Sequence, residues 1–318
     1  MGNAFKEIES YIKNNYGAPK TYYLDLYAKK VRLLVFSLCF EEYITTQIPY
    51  IISSKEGYFD ATIYLWKEQD LNAPQIISEY NPETNTYYYG VVNTDYEEFI
   101  KQGHFLVQIF YKILKSSTTS LVHGAVVGLN NEGILVCAKG QRGKSTLTVL
   151  SMFKGMEYVS DDYLYLESDG GNNLSASPIY SIITLSPFMS EQLKDGLKDC
   201  IKLGWNARKD KYVFNIASKH DRFRKNYPIK LLMFPEIVDD EDPFIREATP
   251  VEKGRAITQL IYSTTFQMSD TLDKSVTLKI IKMLSNFPCY YFGLSKDVNK
   301  NSDYLIKFMK TKTQKEKI

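Results

Sequence analysis

One stretch restricts the folds open to this chain more than any other. An apolar run, Ile134-Leu135-Val136-Cys137, leads into Ala138-Lys139-Gly140-Gln141-Arg142-Gly143-Lys144-Ser145-Thr146, and a helical pattern leaves it as far as about Phe153. The interval matches the phosphate-binding loop, with Ala138 where the strict pattern has glycine. A strand that enters such a loop and a helix that leaves it commit this region to an α/β arrangement. Gly140 and Gly143 let backbone N–H groups converge on phosphate oxygens with no Cβ in the way. The helix N-terminus adds about half a unit of positive charge. Lys144 is expected to bridge the terminal phosphates, and the Ser145 hydroxyl to ligate Mg²⁺. Gln141, Arg142 and Thr146 complete the cofactor-binding stretch, with Arg142 directed outward.

Seventeen residues after Lys144 come Asp161 and Asp162. A helix of about ten residues climbs about 15 Å, and a return strand of about five residues descends as far. The pair is thereby delivered to the mouth of the loop. Adjacent carboxylates beside phosphate suggest one base for the acceptor's proton and one Mg²⁺ ligand; Asp161 is taken first as the base and Asp162 as the ligand, with the exchanged assignment left open. Neighbouring strand residues point to opposite sides, so the two are not expected to share one task. His123 lies on the strand before the loop strand. A simple hairpin closed by Asn130-Asn131-Glu132 would set it opposite residues 138–140. There it could contact the γ-phosphate or orient an aspartate. His104 and His220 have no comparable company and read as structural or surface residues.

Composition narrows the partners. The chain has 318 residues, 44% hydrophobic and 24% charged, which suits a folded protein of one large or two modest domains. Lys+Arg 39 against Asp+Glu 37 gives a net charge of +2, so no global field favours nucleic acid or an anionic membrane. The longest nearly apolar run, Val31–Phe40, is about half of the roughly 20 residues a spanning helix needs. Lys6, Glu7 and Glu9 stand where a secretory leader would be apolar, and the myristoylation pattern fails at Lys6. Cys39, Cys137, Cys200 and Cys289 form no paired motif, so neither a disulfide framework nor a zinc site is expected. A cytoplasmic setting follows as the expectation, and a homo-oligomer is left open.

The first half reads as β-rich. A helix is expected over residues 2–13, strands at Tyr22–Leu26, Val31–Phe36, Tyr58–Trp66, 76–80 and 86–92, and a helix over 95–115. The small polar run Ser116–Ser120 marks a boundary between an N-terminal domain, 1–117, and a second domain, 118–318. The second half predicts strands at Leu121–Leu129, Gly133–Ala138, Glu157–Ser160, 163–167, Lys211–Ile216, Lys230–Phe234 and Cys289–Leu294. Helices are expected at Lys144–Phe153, Ser190–Lys198, Val251–Thr264 and Leu272–Ser285, with a turn at 169–173 and a frayed Lys310–Lys317 tail. The fold class is α/β or α+β, a β-rich N-terminal domain followed by a phosphate-loop domain with a mixed sheet.

His123-Gly124, the loop ending Gly143-Lys144-Ser145, and Gly155 followed by Ser160-Asp161-Asp162 together resemble the HPr kinase/phosphorylase group and its wider relatives. That group shares its nucleotide site with the phosphoenolpyruvate carboxykinases. The resemblance covers roughly residues 118–295 and implies ATP- and Mg²⁺-dependent phosphorylation of a hydroxyl, with an Asp of the pair as base. The glycine- and Asn-bearing signature that follows the aspartates in true HPr kinase/phosphorylases is missing, and residues 185–228 look unrelated to it. Protein-substrate and phosphorylase activities therefore do not transfer. The first 117 residues do not resemble that family's N-terminal domain either. The closer likeness is to divergent kinase-like members, some of which tailor small molecules or ribosomal peptides.

One cation from Lys209-Asp210-Lys211 or from Lys219–Lys225 could clamp the transferring phosphoryl group, although a solvated loop would carry the same charges. The leading reading is a kinase acting on the hydroxyl of a small molecule or peptide, with no nucleic acid or membrane partner. From another class comes a catalytically silent, nucleotide-responsive regulatory module. Carboxykinase chemistry lacks the extra metal ligands it needs, with three histidines in the whole chain.

Overall fold

The computed structural model describes the chain except residues 1, 69–75, 93–103, 105, 116–117, 141, 170–172, 207–208, 220, 269–272 and 316–318. The N-terminal part builds a six-stranded mixed sheet in the order β3 (Ile52–Ser53), β1 (Lys20–Asp25), β2 (Lys30–Val35), β4 (Ala61–Glu68), β6 (Thr86–Val92) and β5 (Ile76–Asn81). β2, β4 and β6 run parallel, and β5 and β6 pair antiparallel through a turn at 82–85. Side-chain alternation divides this sheet into two faces. Ile63, Leu65 and Tyr87 face a large core that includes Phe40, Tyr43 and Ile44 of α2 (Leu38–Gln47). Tyr64, Trp66 and Tyr88 face Ile12 of α1 (Gly2–Tyr16). The buried Glu68 carboxylate fastens α1 to this face by accepting from Tyr11 Oη at 3.0 Å, Tyr16 Oη at 2.9 Å and Trp66 Nε1 at 3.4 Å. Most of the N-terminal aromatics are therefore packing, each fully buried ring contributing about 1.5–3 kcal/mol.

The C-terminal part is organised on a nine-stranded sheet. Its path is β10 (Glu157–Ser160), β8 (Ala125–Leu129), β9 (Glu132–Val136), β16 (Tyr227–Ile237), β12 (Leu174–Pro178), β11 (Tyr163–Ser168) and β7 (Thr119–His123). β18 (Cys289–Leu294) lies parallel to β16 and carries β17 (Phe244–Glu247) on its other side. A three-stranded sheet, β13 (Ile182–Leu185), β15 (Lys211–Asn215) and β14 (Ile201–Asn206), stands apart from it.

The expected hairpin needs correction. β8 and β9 do pair around Asn130-Asn131, Leu129 with Glu132 and Ala125 with Val136. The single strand expected over Leu121–Leu129 is instead broken at Gly124. β7 leaves the hairpin there and pairs with β11, so that His123 faces Tyr163 rather than residues 138–140. At the change of partner a Cβ on Gly124 would lie 3.0 Å from Leu260 Cδ1 and 3.3 Å from Leu135 Cδ1, so the missing side chain lets these residues close over the break.

A second pair of glycines makes room for a ring. Gly128 faces Gly133 across the hairpin, and a Cβ at Gly128 would lie 2.4 Å from Tyr227 Cε1 and 2.5 Å from the Glu132 carbonyl oxygen. The Tyr227 hydroxyl donates to Glu157, so the ring is held in place. Gly128→Ala is expected to destabilise the protein by about 2–3 kcal/mol through overpacking, read as a lower urea midpoint at unchanged slope.

Two further expectations change. The helix placed at Ser190–Lys198 is α5 (Pro187–Gln192), which Ser186 starts by accepting from the Met189 N–H, and turns follow it. The Lys-rich tail is not frayed where it is described: α8 (Val298–Lys315) runs through it, anchored by buried Leu305 and Met309. The apolar anchors lie upstream of the lysines, so the tail taken alone shows no periodicity.

Residues on both sides of position 117 share one apolar cluster. It joins Leu33 and Tyr43 to Phe110 of α3 (Val107–Leu114), Val122 of β7, Leu164 of β11 and Leu232 of β16. α3 packs directly on β7. The remaining expected helices are α6 (Pro250–Met268) and α7 (Lys274–Leu284), the latter capped by the Asp273 carboxylate accepting from the Ser275 and Val276 N–H groups. Of the helix expected over 95–115, His104, Leu106 and Lys115 flank α3 outside it, while 95–103 and 105, like Leu272 and the centre of the turn at 169–173, lie outside the described residues.

Candidate functional site

β9 ends at Val136, and the Cys137 N–H still donates to Met233 O at 2.8 Å, extending the β9–β16 register to the edge of the loop. Lys139 N–H donates to Gln259 Oε1 of α6 at 2.9 Å, fixing the entry of the loop. Gly143 then takes a left-handed φ of +80° and α4 (Lys144–Phe153) begins at the next residue. An L side chain rarely adopts that φ, which is why glycine precedes the lysine. Gly140 and Arg142 are exposed, Ser145 and Thr146 half-buried, and Gln141 lies outside the described residues. The main finding at the loop concerns Lys144. Its side chain is buried, and Nζ has no hydrogen-bond partner among the described residues. Burial pushes its pKa down, against the charges of Asp162 and Asp161, which raise it. A buried amine without a partner is unfavourable. It is tolerated where an anionic ligand is to supply the missing acceptors.

The return strand brings the aspartates to the same end of the sheet. Ser160 of β10 pairs with Val126 of β8, and Val126 pairs with Leu135 of β9. Ser160 therefore stands two strand spacings, roughly 10 Å, from the end of the loop strand. β10 ends at Ser160, and the next two residues, in the bend before β11, turn to different partners. Asp161 is buried and accepts from the Tyr158 hydroxyl at 3.0 Å, while the Ser145 hydroxyl donates to the Asp161 carbonyl oxygen at 3.4 Å. Asp162 faces a set of donors. His123 Nε2 lies 2.7 Å from Oδ1, and Lys209 Nζ lies 3.3 Å and His104 Nδ1 3.6 Å from Oδ2.

These surroundings drive the two carboxyls in opposite directions. Burial, then the charge of Asp162, raises Asp161 to about 6, with the Tyr158 hydrogen bond opposing the rise. Burial would raise Asp162 too, but Lys209, His123 and His104 hold it well below the usual carboxylate range. Burial, then the Lys144 ammonium, lowers the His123 pKa, and burial lowers that of His104 to about 4. Both imidazoles are thus neutral near pH 7. Lys209 is pushed up, chiefly by Asp162.

A stability effect follows from the raised Asp161. Its folded value of about 6 lies above the ordinary 3.8, so its contribution is greatest below pH 4 and is lost as pH rises through 6. At about 1.4 kcal/mol per pKa unit, ionising it in the fold costs on the order of 3 kcal/mol. Asp161→Asn is therefore expected to raise the melting temperature of the ligand-free protein at pH 8 and to leave it nearly unchanged at pH 4. An equal shift at both pH values would show that burial does not raise this carboxyl.

No family profile matches this chain, and no curated protein does. Among solved structures, the Hpr(Ser) kinase/phosphatase from Coxiella burnetii is similar, with a TM-score of 0.36 and 13% identity over 61% of this chain and 99% of that one. The likeness is distant.

Of the residues singled out in the sequence, the structure gathers Lys144, Ser145, Asp161, Asp162 and His123 at one end of the nine-stranded sheet. His123 reaches the site through β11, not across the hairpin. Among the described residues of the basic stretches, Lys209, at the turn between β14 and β15, meets the aspartates; Lys219 pairs with Asp199, and Arg224 with Glu157. His220 lies outside the described residues. His104 is not a surface residue. It is buried against Asp162, with its ring 4.8 Å from that of Tyr163 and 4.1 Å from that of Tyr180. Tyr158 was also not anticipated.

The residues present fit a nucleotide and its metal. Lys144 Nζ is an orphaned buried cation, and a Cβ at Gly140 would meet nothing within 4 Å, so the loop is open there. The long 3.4 Å contact of the Ser145 hydroxyl leaves its oxygen free to ligate. No cluster of three or more His, Cys, Asp or Glu suited to a metal occurs among the described residues. No helix among the described residues is long and apolar enough to cross a membrane.

Proposed function

We propose that the chain is an ATP-dependent kinase that transfers the γ-phosphate to a hydroxyl of a small molecule or peptide. The observation that carries the reading is Lys144 Nζ, buried and unpartnered at the first residue of the loop helix, beside two carboxyls driven to opposite protonation behaviour. A base works best with a pKa near the working pH, and Asp161 at about 6 meets that requirement. Asp161 takes the proton of the acceptor hydroxyl as the oxygen attacks. Tyr158 steadies that carboxylate through its 3.0 Å hydrogen bond.

Ser145 and Asp162 are the residues that would hold Mg²⁺, which supplies charge neutralisation at the phosphates. Asp162 becomes available for that task when Lys209 gives way. The Lys209 side chain is 44% exposed on a turn, so its 3.3 Å pairing with Asp162 is open to exchange for a phosphate. Its ammonium then faces the transferring phosphoryl group, where negative charge accumulates. His123 keeps its 2.7 Å contact to Oδ1 throughout. Residues 118–318 carry the nucleotide machinery, and residues 1–117 shape the acceptor side.

Incubating the full chain with Mg²⁺ and ATP carrying a labelled γ-phosphate, together with fractionated peptides and small molecules, tests the reading by mass spectrometry. Label in a phosphoester of the acceptor supports it. Nucleotide binding without transfer to any acceptor favours the silent regulatory module instead, and absence of binding removes both.

A further inference from the structure

His104 stands outside the region that carries the loop and the aspartates, yet its side chain is 6% exposed and reaches Asp162. The chain places it with some care. The His104 carbonyl accepts from the Val107 N–H at 2.9 Å, which ties it to the start of α3. Val107, Ile109, Phe110, Ile113 and Leu114 bury that helix, and α3 packs on β7, the strand that ends in His123. Helix and strand thus deliver one histidine each to the same carboxylate. Tyr163 lies beside both rings, 4.8 Å from His104 and 5.0 Å from His123, and Tyr180 is 4.1 Å from His104.

The two oxygens of Asp162 are not held equally. Oδ1 has the short contact to His123, whereas Oδ2 has Lys209 at 3.3 Å and His104 Nδ1 at 3.6 Å. Once Lys209 turns to the phosphoryl group, as proposed above, His104 is the remaining donor facing Oδ2 among the described contacts. A closure of about 0.6 Å would bring its N–H into hydrogen-bonding range. We propose that His104 is a positioning residue that holds the plane of the Asp162 carboxylate from the Oδ2 side during phosphoryl transfer, so that the N-terminal stretch completes the site. This rests on the kinase reading, but the contact itself can be tested without it. The side chain touches no reacting atom.

The experiment uses the full-length protein and the variants His104→Phe, which fills the space without a donor, and His104→Asn, whose amide nitrogen mimics Nδ1. With three histidines in the chain, the Nε2–H signal of His123 bonded to Asp162 is resolvable by imidazole ¹⁵N NMR. In His104→Phe, kcat for ATP consumption is expected to fall by about tenfold or more with KM for ATP nearly unchanged, as for loss of a supporting-shell contact. The His123 signal should shift as the carboxylate loses its orientation. His104→Asn should restore both. A Phe variant with wild-type kcat and an unshifted His123 signal overturns the proposal. So does a folded Asn variant that behaves like Phe, since the donor is then not what matters, and that arm decides the question if Phe does not fold. If the wild type consumes no ATP while the Phe variant still shifts the His123 signal and Asn restores it, the kinase reading fails and the positioning of Asp162 by His104 stands.

Discussion

Replacing Lys144 with alanine is expected to lower ATP affinity by more than about 100-fold, consistent with loss of a charge-assisted phosphate contact in a buried setting. The ligand-free variant is expected to be about as stable as the parent. Most buried charged side chains cannot be removed without penalty, because a partner is left behind. Lys144 Nζ has no hydrogen-bond partner among the described residues to leave behind. Burial already works against its charge, so truncation removes an unfavourable group along with some packing of its stem. The two effects are of comparable size, a few kcal/mol each, and oppose one another. Thermal melts with and without Mg²⁺ and ATP separate the outcomes. The parent should gain stability with ATP in proportion to ligand concentration over Kd, and the variant should show no gain. A strongly destabilised ligand-free variant would mean that the ammonium has a structural partner, and the loop would lose its assignment.

The parts of this site that were legible in the sequence are those the local chain determines. The loop, its helix and the return strand occupy about thirty consecutive residues, so strand alternation and helix rise alone predict where Asp161 and Asp162 arrive. The observed bounds Lys144–Phe153 and Glu157–Ser160 match that expectation. His123 shows the limit. The hairpin rule held from Ala125 onward, but Gly124 released the preceding strand to a partner forty residues away, Tyr163. Long-range pairing of that kind leaves no periodic signal. His104 was invisible for the same reason, since only tertiary packing of α3 on β7 puts it near Asp162. Tyr158 sits on a strand where an aromatic residue reads as ordinary core, and it is indeed buried against Phe223 as well. Of the three strands of the small sheet, only β15 was legible, through its apolar run Tyr212-Val213-Phe214. β14 has one buried residue, Asn206, and a glycine at 204, so its residues carry no hydrophobic pattern to read.

The two aspartates are expected to fail differently. Asp161→Asn should lower kcat by about 10²- to 10⁴-fold, the range of a lost general base, with ATP affinity within a few-fold of the parent. Asp162→Asn should instead raise the Mg²⁺ concentration needed for half-maximal rate. It should also change the pH profile, in a direction set by the surroundings of Asp161. In the parent, kcat/KM reports the free enzyme, and its acid limb should have a midpoint near the Asp161 value of about 6. Burial is the larger cause of that value and the Asp162 charge the second. Removing the second cause lowers the Asp161 pKa, so the acid limb of the Asp162→Asn variant moves to lower pH while the residual rate survives. Had Asp162 been the base, its carboxyl, held well below the usual range by Lys209, His123 and His104, would give no limb near pH 6 in the parent. Asp161→Asn would then leave a substantial rate. A parent profile flat between pH 5 and 7, together with a rate loss confined to Asp162→Asn, therefore exchanges the two roles, because the neighbours that make one carboxyl a base make the other an anion at all working pH.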